Sequence, residues 1–378
     1  MNVTIGLPNV LTYHQGGGHW SWALQYLLGF KELGHNVCGI EFIESTGDPL
    51  ADEARVHAFF QRLTVFGLAD NYCVLIGSQN ADNIDALPFY CSTYRNVKDL
   101  TDSTDVLLNC ACYLRAPFLL RFAHRVLLDG DPGHLQISEL DIPLGILQHH
   151  RHCTVGLNVG TPGCRVPTHG VSWEAHCPIL YLPMWTPDFT VLNMSHPVTS
   201  VTHWNWDELH FEGQRVHVGK REAYLRYLDL PARIGSPCEL AVLLPESIPE
   251  EKDRLEDAGW RISNPWSTVP TPEEYQNFIR RSFAELCAAK EVHRTLKTGW
   301  ISDRSAAYMA LGRPVIADDT GFGAHLGTTD GIMGVSGVEQ AAEAIGELRA
   351  DFSHYSRNAR TTAVEFFDSR RILPKLVE

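Results

Sequence analysis

Short runs of β-branched and aliphatic residues alternate with stretches of helical periodicity through both halves of the chain, the pattern of parallel sheets built from strand–helix–strand units. In the first half, Val3–Leu7, Val37–Ile43, Asp105–Cys110, Arg125–Leu128 and Thr154–Leu157 read as strands. Trp20, Ala23, Leu24, Leu27, Leu28 and Leu33 recur at 3.6-residue spacing and predict a helix, which Gly34 ends as a C′ glycine. A second series runs from Val201–Trp204 through Leu240–Leu244 and Arg261–Ile262 to Pro314–Ala317 and Gly331–Val335. Pro183 to Pro197, rich in Pro and Thr, reads as the hinge between them. Asn358 to Glu378 reads as helical, with Ala359, Ala363, Phe366 and Phe367 spaced for packing. The expected architecture is α/β, with two doubly wound domains facing across a cleft. They span residues 1–195 and 196–355, and 356–378 forms a C-terminal helix.

Composition agrees with this division. At about 100–200 residues per domain, 378 residues make two domains. A 44% hydrophobic content with nine Trp supplies their cores and excludes a disordered chain. Lys and Arg total 31 against 45 Asp and Glu, a net charge of −14, which argues against a nucleic-acid backbone or an anionic membrane as the main partner. No run approaches the ~18 apolar residues of a membrane span. The opening Met1-Asn-Val-Thr-Ile5 carries no charged leader, so the ten cysteines read as free, mostly buried thiols of a cytoplasmic protein.

Two segments carry candidate chemistry. The first is Tyr13-His-Gln-Gly-Gly-Gly-His-Trp-Ser-Trp22, after the first strand and opening the first helix. Gly17 and Gly18 permit close approach of a ligand to a helix N-terminus, whose N–H groups suit an anion. His19 at its lip is a candidate general base, with Asp131 of Asp129-Gly-Asp131 as its orienter. The same residues would also serve as a plain turn and cap. The spacing is not Gly-x-Gly-x-x-Gly, so a dinucleotide site is not expected.

The second is Lys297 to Gly323. Ser302 is placed to cap a short helix that begins Asp303-Arg304-Ser305, and Gly312 ends it. That N-terminus with Arg304 beside it suits a diphosphate, and the loop Asp318-Asp319-Thr320 at the end of the next strand suits sugar hydroxyls. Trp204, Trp206, Trp266 and Trp300 offer stacking faces, although each would also serve as core. His149-His-Arg-His-Cys153 and Cys110-Ala-Cys112 lack the spaced pairs of a zinc site, so no metal is expected; Asp129-Gly-Asp131 reads as an orienter or loop before a metal clamp.

Gly18-His19 with the following amphipathic helix, Leu33-Gly-His-Asn-Val37, and Ala310-Leu-Gly-Arg-Pro-Val-Ile316 with its acidic follow-on resemble nucleotide-sugar glycosyltransferases of the GT-B fold, in particular uncharacterised bacterial members. The resemblance implies two Rossmann-like domains and a final helix that crosses back to the first. It implies a nucleoside-diphosphate sugar as co-substrate in place of a cofactor, and a hydroxyl acceptor. It also places Lys220, in Val218-Gly-Lys-Arg-Glu222, on the donor phosphates, and His19 as the base of an inverting, metal-independent transfer. Where many retaining relatives carry a ribose-binding Glu, this chain has Ala307, with Glu285 or Asp303 as substitutes. A nucleotide-sugar 2-epimerase and a non-catalytic nucleotide-sugar-binding protein are the alternatives.

Overall fold

Strands buried on both faces carry near-continuous apolar sequence, and the central strands of the first sheet are of this kind. The computed structural model describes residues 1–193, 195–205, 208–327 and 330–378. The strands are β1 (Asn2–Gly6), β2 (Asn36–Ile43), β3 (Tyr72–Ile76), β4 (Phe89–Tyr90), β5 (Val106–Cys110), β6 (Arg125–Asp129), β7 (Arg151–Thr154) and β8 (Glu174–Ala175). Their order is β4-β3-β2-β1-β5-β6-β7-β8, parallel except for β4, which runs antiparallel to β3. A second sheet takes β9 (Val198–His203), β12 (Cys238–Leu243), β13 (Trp260–Ser263), β14 (Ala284–Cys287), β15 (Val315–Asp318) and β16 (Ile332–Val335). These are all parallel, in the order β13-β12-β9-β14-β15-β16. The antiparallel pair β10 (Glu208–Phe211) and β11 (Gln214–His217) stands apart. In each sheet the order reverses at the first strand, β1 or β9, and ligands of such sheets bind beyond the carboxyl ends at that reversal.

The sequence reading misses two interior strands, β3 and β14. Ala, Glu and Leu of the β14 sequence Ala-Glu-Leu-Cys favour helices in isolation, and burial of all four residues between β9 and β15 makes the segment a strand. β7 also lies earlier than expected, at Arg151–Thr154, because His152 of this polar segment is buried with Nε2 on the Ile146 carbonyl, 2.9 Å away. The C-terminal region is two helices, Phe352–Phe366 and Ser369–Val377, separated where Asp368 caps the second by accepting from the Arg370 N–H. The first of these packs on the Asp303–Ala310 helix. The second returns to the first helix, Gly17–Glu32, where Leu373 and Ser369 lie close over Gly29. Ile372, Leu373, Leu376 and Val377 thereby complete the core of the first sheet.

The expected hinge is a packed strap. Gln25, buried in the first helix, accepts from the Tyr181 N–H at 2.7 Å and from the Trp185 indole at 3.0 Å. Arg313 is fully buried and holds the Asp188 carbonyl and carboxylate. A cluster of Leu127, Leu135 and Ile137 from one side with Val218, Val292 and Leu296 from the other is shared between the two halves.

The halves also meet at the glycine-rich turn. The Gly17 N–H donates to the Val269 carbonyl at 3.0 Å, and a Cβ on Gly17 would lie 2.2 Å from the Thr271 carbonyl oxygen. Gly17→Ala is therefore expected to part the halves along this rim and cost about 1–3 kcal/mol. Solution scattering and thermal unfolding check this: an unchanged radius of gyration with an unchanged midpoint would show that the contact does not hold in solution.

Candidate active site

The carboxyl ends of both sheets open onto one cavity of about 710 Å³. Pro8, Ala111 and Asp131 reach it from the first sheet; Thr202, Leu243 and Lys290 reach it from the second. Its walls are largely aromatic and apolar, with Tyr13, Trp22, Trp185, Trp266 and Tyr275 among them.

His19 lines this cavity at the start of the first helix. Its ring packs against Tyr13 and Trp22, each 5.3 Å away between centroids. Nε2 lies 2.7 Å from the Pro8 carbonyl oxygen. A carbonyl can only accept, so Nε2 carries the proton and Nδ1 keeps its lone pair. Burial lowers the His19 pKa and the Pro8 carbonyl opposes that, so the ring is neutral at pH 7 and fit to accept a proton. The loop that presents Pro8 is anchored by Glu41, buried in β2, which accepts from the Leu11 N–H at 2.9 Å and the Tyr72 hydroxyl at 3.1 Å.

Asp131 does not orient His19. It pairs with Lys290, lies 3.3 Å from Nε2 of His293, and lies 3.0 Å from Nδ1 of His134. Burial works to raise its pKa, but the Lys290 ammonium and hydrogen bonds from His134 and His293 hold it well below the usual carboxylate range. Asp129 beside it is buried and accepts from Gln136 and Thr154 at 2.7 Å each and from the Asp131 N–H. The Asp129-Gly-Asp131 pair is thus committed to protein groups.

Lys290 and His293 follow β14, and the sequence reading missed them with their strand. A lysine directly after an Ala-rich segment that ends a parallel strand was the available signal. Behind Lys290 lies a second lysine. Lys220 is buried, donates to the Ala288 carbonyl at 2.7 Å and stands 4.8 Å above the Trp300 ring. That ring stacks on His293 at 4.4 Å. Burial lowers the Lys220 pKa to about 7; the Cys287 sulfur opposes this, and Arg304 and Lys290 add to it. His203, at the end of β9, is pushed down to about 3 by burial and then by Lys290 and Lys220.

The second expected segment is only partly on the cavity. Ser302, Asp303 and Arg304 line it, with Ser302 capping the helix by accepting from the Arg304 N–H at 3.2 Å. Asp303 is open to the cavity, and its carboxyl is raised to about 6 by the surrounding protein, against Arg304. Arg304 is not a free fork for a diphosphate. Its guanidinium is spent on buried Glu285, on the Val201 carbonyl at 2.7 Å and on the Cys287 sulfur at 3.4 Å. Ser305 is fully buried beneath it. Asp318 is likewise an interior partner, held by Arg226, the Tyr227 hydroxyl at 2.6 Å and the Ala289 N–H at 2.8 Å. Asp319 is exposed beside Lys297 at 3.4 Å, and buried Thr320 donates to the Trp300 carbonyl at 2.7 Å. None of these three lines the cavity.

Gly18 lies on the cavity wall against Tyr275, whereas Gly17 spends its N–H on the domain contact. Of the Trp residues, Trp266 faces the cavity and Trp204 is core, its indole on Glu251 at 3.1 Å. Trp206 lies outside the described residues. His149, Nε2 3.0 Å from Asn109 Nδ2, and His152 serve the fold.

No family model matches the chain, and no curated protein matches it in sequence. Solved structures match its fold. A glycosyltransferase from Rickettsia africae ESF-5 is 13% identical over 99% of this chain and 97% of its own, with a TM-score of 0.53. AviGT4, a glycosyltransferase of avilamycin A biosynthesis, is 10% identical over 100% of this chain and 96% of its own, with a TM-score of 0.54. Anabaena HepE, solved with UDP and glucose, is 11% identical over 99% and 98%, with a TM-score of 0.53. Two parallel doubly wound sheets, carboxyl ends facing one cavity, and a C-terminal helix returned to the first sheet make this a GT-B fold.

Proposed function

We propose that the protein is a glycosyltransferase that moves a sugar from a nucleoside-diphosphate sugar to an acceptor hydroxyl, with inversion and without a metal. One observation carries the reading: the cavity wall made by the second sheet carries Lys290 just after β14, with buried Lys220 behind it and the Arg304 guanidinium, itself paired with Glu285, on the same wall. Such a wall suits a polyanion held at a fixed place. The UDP and glucose bound to HepE, of the same fold, support UDP as the first probe.

In the proposed reaction Lys290 holds the diphosphate, and Lys220 adds positive potential from behind. The aromatic wall around Tyr13, Trp22 and Trp266 receives a small acceptor. His19 Nδ1 takes the proton of its hydroxyl as the oxygen attacks the anomeric carbon from the face opposite the diphosphate. The bond from that carbon to the β-phosphate oxygen breaks, and its electron pair leaves on the diphosphate beside Lys290. Contact of the two halves excludes water that would otherwise hydrolyse the donor. Cations at the leaving group take the place that a metal ion fills in other transferases.

A panel of UDP-, GDP- and dTDP-sugars, followed by nucleotide release with and without acceptors, tests the reading. Donor conversion without acceptor would identify an epimerase, and binding without release a sensor. His19→Ala is expected to lower turnover ~10²–10⁴-fold with donor affinity retained; unchanged turnover removes the base from His19. Lys290→Met is expected to weaken UDP affinity by ~10²-fold, read by calorimetry.

The Lys220 pKa fixes a pH dependence. A folded-state pKa of about 7 leaves this ammonium partly discharged at neutrality, and a bound diphosphate favours its charged form. UDP affinity should therefore strengthen as pH falls from 8.5 to 6.5, with net proton uptake. Calorimetry in buffers of different ionisation enthalpy measures that uptake, and proton release on binding would contradict it. In the free protein the sign reverses. The unfolded chain binds more protons here, so this group's contribution to stability grows as pH rises from about 7 towards its ordinary value of about 10.4.

A further inference from the structure

Three cysteines with no part in the proposed reaction converge at one edge of the first sheet. Cys38 belongs to β2 and Cys73 to β3; Cys91 follows β4, opposite Cys73 in the antiparallel register that sets Val74 against Tyr90. Their three sulfurs lie within 4.8 Å of one another, with Cys38 and Cys73 3.4 Å apart. Cys38 and Cys73 are buried and Cys91 is half-buried, so the cluster is closed on its inner side and reachable from one side.

A metal ~2.3 Å from each sulfur sets the sulfurs about 3.8 Å apart in a tetrahedral site and about 4.0 Å apart in a trigonal one. The Cys38–Cys73 spacing of 3.4 Å lies just below both values, and the 4.8 Å limit on the other two lies above them. Three sulfur donors, with no nitrogen or oxygen ligand grouped with them among the described residues, select a soft cation. The geometry assigns to Cys38, Cys73 and Cys91 a binding site for a soft d¹⁰ metal ion, Zn(II) or Cu(I). Three-coordinate Cu(I) fills it with protein ligands alone, and Zn(II) takes a fourth ligand from solvent on the Cys91 side. Binding ties β2, β3 and the segment after β4 together, releases the thiol protons, and stabilises the folded chain by mass action. The site is structural and independent of the transfer reaction, since none of the three cysteines lines the interdomain cavity.

The test uses the full chain, reduced and stripped by a chelator under anaerobic conditions. It is titrated separately with Zn(II) and with Cu(I), with Cd(II) as a spectroscopic probe. One equivalent bound with thiolate-to-metal charge-transfer absorption and a raised unfolding midpoint is expected, and the tighter of the two ions identifies the occupant. Cys91→Ser should weaken binding by at least ~10²-fold, since loss of even an outer-shell partner costs 10–100-fold. Cys164→Ser, half-buried and outside the cluster, should leave it unchanged. No equivalent bound by the unaltered chain, equal binding by Cys91→Ser, or a Cys38–Cys73 disulfide in the chain as isolated would each overturn the assignment.

Discussion

A carboxylate from one sheet held between two side chains from the other sets the geometry of this protein. Asp131 leaves the end of β6 and meets Lys290 and His293, which leave the end of β14. Gly133 lies against Val292 so closely that a Cβ there would approach its methyl to 2.7 Å. The charge pair and this contact lie together, so the two sheets can close only with their carboxyl ends in a fixed relation. Everything around the cavity follows from that relation: the His293–Trp300 stack, Lys220 above the same ring, and His203 facing both lysines. A carboxylate paired with Lys290 is an anion already in place. A diphosphate arriving at Lys290 competes with Asp131 for it, so donor binding and the junction of the halves draw on the same ammonium group.

The sequence shows the fold class because parallel sheets covered on both faces leave long apolar runs, and Val37–Ile43 or Val315–Ala317 can be little else. It does not show β14, where Ala, Glu and Leu carry no strand preference and burial between neighbours decides. Losing that strand also loses Lys290, the residue on which the proposed donor site turns. His19 was legible from its place after β1 and before a helix. Its partner was not, because the Pro8 carbonyl is a backbone group that any sequence would supply. The error over Arg304 and Asp318 has one cause. A charged residue at a strand end or helix start looks the same whether it faces a ligand or an interior counter-ion. Glu285 and Arg226, which settle the matter, are 19 and 92 residues away in sequence.

The interior pairings have a use of their own. Arg304 satisfied by Glu285, and Asp318 by Arg226 and Tyr227, are buried charges that would be costly if left alone. They brace the loops after β9, β14 and β15 on which Lys290 and Asp303 are carried. Rigid support behind a few cavity-facing groups is what holds a reacting pair in register. The polar groups on the cavity wall include His19 on one side and Lys290 and Asp303 on the other, between aromatic walls.

The return of the Ser369–Val377 helix to the first helix bears on how the chain is made. Leu373 over Gly29, with Ile372, Leu376 and Val377 around it, finishes a core whose other members lie mostly before Ile179. On the ribosome the first sheet emerges long before this helix and must wait, one flank bare, while the whole second sheet is translated. The second sheet has no such wait, because its own covering helices, Val338–Ala350 and Phe352–Phe366, follow its last strand. The half synthesised first is thus the half completed last, and a nascent chain stalled short of Ser369 would carry a finished second domain beside an unfinished first.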